Sequence, residues 1–126
     1  MKNRCVKNLS LALCVLALAG CALRPSIYQW GGYDAMLYQS YKSPEKVLEL
    51  RQGLAAHIGK MEQSQQKVAP GLYAELGTLY LQSGDSASAL TMYTKERSAW
   101  PESKGLMDAL IANIGKRAVA RNEGKS

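Results

Sequence analysis

Three observations predict an all-α fold, a small helical-hairpin domain of about four helices. Apolar residues recur at steps of three and four, residues that start and stop helices bracket those stretches, and no segment alternates with the period of two that a half-buried strand requires. A short aromatic-rich segment and an apolar N-terminal run of different character precede the helical stretches.

Each element has its own signature. Asp34 is placed to cap a short helix over residues 35–41. Ser43-Pro44-Glu45 reads as a helix start: a serine able to cap free amides, a proline at the first helical position and an acid facing the positive end of the dipole. The helix it opens is expected from Pro44 to about Gln65, with Val47, Leu50, Leu54, Ile58 and Met61 as one buried stripe and Glu49, Gln52 and Lys60 pointing away. Gly53 and Gly59 within it each cost about 1 kcal/mol relative to alanine, so this helix depends on tertiary packing. Val68-Ala69-Pro70-Gly71 breaks the pattern, and a second helix follows from about residue 71 to Gln82, stopped by Ser83-Gly84-Asp85. A third starts at Asp85 or Ser86 and ends before Trp100-Pro101. Ser103 is placed to cap a fourth, whose stripe is Leu106, Leu110, Ile111 and Ile114, before a charged tail from Lys116 to Ser126.

The N-terminus carries a destination. Lys2, Arg4 and Lys7 precede an apolar run from Leu9 to Ala19 that is too short to span a bilayer as a mature helix, the pattern of a secretory signal peptide over residues 1–20. The run closes on Leu18-Ala19-Gly20-Cys21, which resembles the lipobox of bacterial lipoproteins: an aliphatic residue, two small ones, then cysteine. Small side chains admit the processing peptidase at the bond between Gly20 and Cys21, and the freed Cys21 accepts a diacylglycerol. A chance cysteine beside an ordinary cleavage site, or an uncleaved anchor helix, accounts for fewer of these features together. Cys5 and Cys14 leave with the signal peptide, so Cys21 is the only cysteine of the mature chain and neither an intrachain disulfide nor a cysteine metal site is expected. Lipoproteins of this type carry two or three acyl chains, palmitate among them, which makes the membrane anchor effectively permanent and the covalent lipid on Cys21 the only expected prosthetic group. Ala22 follows the cysteine, where aspartate is the usual inner-membrane retention signal, so the resemblance implies the outer membrane, periplasmic face.

Removing 20 of 126 residues leaves 106, enough for one small domain. Three cations and no acids are removed, so 13 basic side chains face 10 acidic ones, and the formal +6 of the whole chain overstates the mature charge. With no basic stripe interleaved with aromatics, nucleic acid is excluded as a partner; the cations read as a solvated surface with a modest attraction to anionic headgroups. Residues 21–33 are expected as the lipidated cysteine and a tether, 34–117 as the helical domain and 118–126 as the tail. Five of the nine Tyr and Trp residues, Tyr28, Trp30, Tyr33, Tyr38 and Tyr41, fall within fourteen positions. Three uses suit such rings: packing over the end of the helical domain, a partner surface, or a belt at the membrane interface.

Residues 70–103 resemble one tetratricopeptide repeat, a helix-turn-helix unit of about 34 residues. Tyr73, Leu76, Gly77 and Tyr80 stand at its aromatic, leucine, glycine and tyrosine positions, Gly84-Asp85 at its turn, Ala89 at the small crossing position, Tyr93 at the next aromatic and Pro101 at the closing proline. An ordinary antiparallel helix pair also needs small crossing residues. Glu96 departs from the pattern, which has a small residue there, and bears on how closely a following helix can pack. A single repeat does not bury its own faces, so the flanking helices act as caps or another subunit does. Tetratricopeptide units bind peptides along their first helices, and by position that face would present Ala74, Thr78, Leu81 and Gln82 to a partner.

Tyr28-Gln29-Trp30-Gly31-Gly32-Tyr33 with Tyr38, and later Tyr93 with Trp100-Pro101-Glu102-Ser103, resemble the domain-of-unknown-function 4810 (DUF4810) lipoproteins of proteobacteria over nearly the whole mature chain. The resemblance implies small lipoproteins without an established activity, often encoded beside two other lipoproteins, one resembling the curli secretion channel protein. An envelope protein partner, other lipoproteins among the candidates, is therefore expected.

No catalytic constellation stands out. His57 is the only histidine, flanking an apolar stripe with Gly53 and Met61 four residues away on either side, so a packed or half-exposed helix residue is expected rather than a base or metal ligand. Glu45 and Glu49 lie near Lys46 and Arg51 at a helix start, as a solvated face would. No serine sits in a GxSxG or SxxK arrangement, and no glycine-rich phosphate loop occurs. The expectation is a non-enzymatic, membrane-tethered protein-interaction adaptor; a structural subunit of a multi-lipoprotein envelope or secretion complex is the alternative, and an envelope hydrolase ranks third.

Overall fold

The spacing of apolar residues produces five α-helices in the computed structural model, which describes residues 26–124. They are α1 (Tyr33–Lys42), α2 (Val47–Gln63), α3 (Leu72–Gln82), α4 (Ser86–Ala99) and α5 (Lys104–Glu123). Single 3-10 turns, Pro44–Lys46 and Pro101–Ser103, precede α2 and α5. Each helix packs against the next in the chain, and no strand occurs among the described residues. The all-α class is therefore met. Residues 1–25, with the signal peptide, Gly20 and Cys21, lie outside the described residues.

The core has two parts. Leu50, Leu54, Ile58 and Met61 of α2 interlock with Val68, Ala69, Leu72, Tyr73, Leu76 and Leu79. Ala89 and Tyr93 of α4 meet Met107 and Ile114 of α5, and Tyr80 of α3 lies against both clusters. Helix α1 lays Tyr33, Met36 and Leu37 on the first cluster. Gly53 marks that crossing, because a Cβ there would sit 2.5 Å from the sulfur of Met36, whereas one at Gly59 would meet nothing within 4 Å.

Several local expectations are corrected. Helix α1 begins two residues before the predicted 35–41, with Gly32 at its N-cap, so Asp34 lies inside the first turn and caps nothing. Ser43 makes no side-chain capping bond, and its carbonyl instead closes the 3-10 turn onto the Lys46 amide at 2.8 Å. Helix α2 stops at Gln63 because Gln65 turns left-handed at φ 56°, letting the Gln65 and Gln66 amides bond back to the carbonyls of Glu62 and Met61. Gly84 at φ 85° closes α3 the same way, and Asp85 then caps α4 by accepting from the Ser88 amide at 3.0 Å. Of the two predicted stripes, Val47 and Leu106 are exposed, while Met107, absent from the expectation, is buried. The α5 helix continues to Glu123, through most of the segment read as a charged tail.

The tether is also shorter than the sequence suggests. Residues 26–32 form no helix but lie along the body: Tyr28 meets Trp100 edge to face at 5.5 Å, and the Gln29 carbonyl bonds the His57 ring Nε2 at 2.8 Å. Gly31 passes so close to the His57 ring that any side chain there would collide with it.

Candidate functional site

Helices α3 and α4 cross where their sequence is smallest. A Cβ at Gly77 would lie 2.7 Å from the Tyr93 ring and 3.3 Å from the Ala89 carbonyl oxygen, so glycine is what allows Tyr93 to seal the crossing. Tyr93 is buried and its hydroxyl lies 3.1 Å from Thr78 Oγ1, which also donates to the Ala74 carbonyl at 3.0 Å. Of the four residues predicted to face a partner, Ala74 and Leu81 are half-buried and lean on the Ala89–Tyr93–Met107–Ile114 cluster. Thr78 is half-buried in its bonds to Ala74 and Tyr93, and Gln82 is exposed. Gln82 borders an open depression with Val47, Leu48, Arg51, Leu79 and Ser83, between the start of α2 and the end of α3. A partner approaching this end meets Gln82 in full and the other three only in part.

Glu96, where the resemblance to the repeat leads to the expectation of a small residue, does something a small residue cannot. Its carboxylate is fully buried, and Oε1 accepts from the Gly71 amide at 2.8 Å and from the Ser103 hydroxyl at 3.2 Å. Gly71 is the N-cap of α3, and Ser103 ends the turn that feeds α5. One carboxylate on α4 thereby ties together the N-terminal ends of two helices, where the backbone dipoles favour negative charge. Ser103, predicted as a cap, spends its side chain on this bond and makes no capping bond to the helix after it. Trp100, four residues on from Glu96, is 6% exposed, with the Lys67 ammonium 3.6 Å above its ring.

A second polar cluster joins α2, α3 and α4. Glu62 Oε1 accepts from the Tyr73 hydroxyl at 2.8 Å and from the Lys95 ammonium at 2.7 Å, beside an open depression lined also by Thr94, Ser98 and Ala99. The hydrogen bond from Lys95 holds the Glu62 carboxyl below the usual glutamate range, and burial, followed by the bond to Glu62, pushes the Tyr73 hydroxyl up. Glu62 is thus held in its ionised form and Tyr73 in its neutral form, opposite to the near-neutral titration a general acid or base needs, and the trio serves as a tie across three helices. Burial, with the Glu75 carboxylate nearby, likewise pushes the Tyr33 hydroxyl up to about 12.

His57 is half-buried and engaged with Gln29, as a packed helix residue would be. Among the described residues no group of three or more His, Cys, Asp or Glu side chains converges as a metal site would, and no helix is long and apolar enough to cross a membrane. Sequence reasoning passed over two features here. Glu96 was visible as a departure from the repeat, and burial of that position was the signal for its role. Glu62 gave none, because its partners lie 11 and 33 residues away.

No curated protein and no solved structure matches the chain. Residues 27–110, from the docked N-terminal segment into the first half of α5, match the family described as Domain of unknown function (DUF4810), and the chain belongs to that family.

Proposed function

We propose that this chain is a lipoprotein, acylated at Cys21 and held at the periplasmic face of the outer membrane, whose helical domain acts as a non-enzymatic adaptor for another envelope protein. The observation that carries the reading is the pairing of Leu18-Ala19-Gly20-Cys21 with the close α3–α4 crossing of Gly77, Ala89 and Tyr93 a short distance down the chain. The crossing supports a tetratricopeptide-like unit, a fold element suited to holding peptides and helices. The partner class favoured by the family resemblance is another lipoprotein, one like the curli secretion channel protein among the candidates.

The test is crosslinking in intact cells from Gln82, followed by fractionation of the wild-type chain and of Cys21→Ala. The expected result is membrane-bound wild type, released Cys21→Ala, and a discrete envelope protein captured at Gln82. Capture of nothing, together with turnover of a peptidoglycan fragment by the purified chain, would sink the adaptor reading in favour of a hydrolase.

A structural subunit of a multi-lipoprotein complex is the second reading. It is favoured by α5, where Leu106 and Val119 are 64% and 57% exposed on a helix that continues beyond Ile114, the last buried residue among the described ones. Sedimentation separates the two, since a stable monomer of the non-acylated chain argues against an obligate subunit.

A further inference from the structure

We propose that Ile27, Trp30, Tyr38 and Tyr41 form a lipid-contact face that seats the domain in the headgroup region of the bilayer, an inference that rests on acylation of Cys21. Helix α1 turns Tyr33, Met36, Leu37 and Ser40 inward, at the i, i+3, i+4 and i+7 positions of one face. Tyr38 and Tyr41, three apart on the other side, are 56% and 80% exposed. Ile27 and Trp30, in the segment that leads into α1, are 87% and 39% exposed. Tyr38 and Tyr41 lie on α1, which packs against α2 and the turn before it, while Ile27 and Trp30 flank the Tyr28 and Gln29 contacts to Trp100 and His57.

The chain outside the described residues says what covers this face. Ser26 lies five residues after Cys21, and five residues span at most about 18 Å when fully extended. An acyl group on Cys21 therefore keeps Ser26 within about 18 Å of the anchor, close enough for Ile27 and Trp30 to enter the headgroup layer, which is about 5–7 Å deep on each side of the bilayer. The chemistry of the face suits that depth. Tyr and Trp rings favour the boundary where one end is dry and the other wet. The Trp30 indole N–H donates to Ser26 Oγ at 3.2 Å, and the Lys42 ammonium sits 4.7 Å above the Tyr38 ring, so polar groups accompany the rings. Asp34 and Lys42 are the only charged side chains from Ser26 to Lys42 and offset each other, so this stretch carries no net charge and suits a zwitterionic phospholipid surface.

The two tryptophans make the test direct, because Trp100 is 6% exposed and Trp30 is not buried. The full chain, processed and acylated in a bacterial host, is reconstituted in phosphatidylcholine vesicles brominated near the top of their acyl chains. About half of the Trp30 emission is expected to be lost, as for a ring at the interface. The loss should persist at high salt, disappear in Trp30→Phe and shrink in the Tyr38→Ser/Tyr41→Ser double variant. All three substitutions fall on exposed side chains and leave both core clusters intact. Protein that floats with the vesicles yet emits equally from brominated and plain lipid overturns the contact face while leaving the anchor standing. Protein that does not float refutes acylation, and the contact face with it. Disulfide-linked dimers of membrane-bound Tyr41→Cys would reassign the surface to a second copy of the chain and overturn the proposal as well.

Discussion

Replacing Glu96 by alanine, the residue type the repeat pattern expects, is predicted to destabilise the domain. The substitution removes the acceptor of two hydrogen bonds, from the Gly71 amide and the Ser103 hydroxyl, in a fully buried position. Hydrogen bonds to a charged group contribute about 1.5–3 kcal/mol each, and donors left buried without a partner add to the loss. Against this stands the cost of keeping a carboxylate out of water, which the alanine variant recovers. Two helix N-termini facing the charge reduce that cost, so the net expectation is a loss of about 2–4 kcal/mol for Glu96→Ala. Glu96→Gln keeps an acceptor oxygen for both bonds but loses the charge and places an amide NH2 where the buried Oε2 has no partner, for a cost of about 1–3 kcal/mol. Urea unfolding of the non-acylated chain, followed by circular dichroism, reads both values from the shift in midpoint at unchanged slope. If Glu96→Ala proves as stable as the wild type, the carboxylate does not clamp α3 to α5, and the account of why this chain departs from the repeat is wrong.

Gly77→Ala would drive a Cβ to 2.7 Å from the Tyr93 ring and is expected to cost about 1–3 kcal/mol, whereas Gly59→Ala meets nothing within 4 Å and is expected to gain about 0.5–1 kcal/mol; thermal melts of the two should move in opposite directions. Gln65 sits at φ 56° in the closing turn of α2, so Gln65→Gly is expected to raise stability by about 1 kcal/mol in the same assay, and a loss would show that its side chain matters more than its backbone. The Glu62 carboxyl is held below its ordinary 4.5, so its contribution to stability is complete above that value and is lost as pH falls through the lower folded value. Melting temperatures should therefore show an acid-side decline that is shallower in Lys95→Met, and because the Glu62 side chain is 38% exposed the difference should also shrink in high salt.

What was legible in the sequence followed from short-range rules. The period of apolar residues in α2 located Leu50, Leu54, Ile58 and Met61, and Gly84-Asp85 marked both the end of α3 and the cap of α4. The errors came where a local rule met a tertiary contact. Ser103 has the composition of a cap, but Glu96 reaches it first. Leu106 and Met107 differ by one step of about 100° around α5, and only the position of Tyr93 on α4 decides which of them turns inward. Gln65 ends α2 without the glycine that usually announces such a turn. The Glu62–Tyr73–Lys95 tie and the Gln29–His57 bond join residues that no spacing rule pairs. The predicted partner-facing set rested only on the resemblance to the repeat, whose positions specify a helix face without specifying how far α5 leans over it.

The docking of residues 26–32 would limit what an acyl anchor on Cys21 could do. A tether of a dozen residues would let the domain wander about 40 Å from the bilayer, but with Tyr28 against Trp100 and Gln29 on His57 only the five residues before Ser26 remain as leash. At about 18 Å of reach, the domain is comparable in size to its own range, so an acylated Cys21 restricts orientation as well as distance. Whichever face of the stack is adjacent to the lipid is withheld from protein partners, and whichever face is distal is presented to them. Helix α1 and helix α5 stand at opposite ends of the chain order of packed helices, and Leu106 and Val119 are exposed on α5. The same short leash therefore links the two proposals, because an aromatic face turned toward lipid would be closed to a protein partner and would leave surfaces such as the exposed part of α5 beyond Ile114 for that contact.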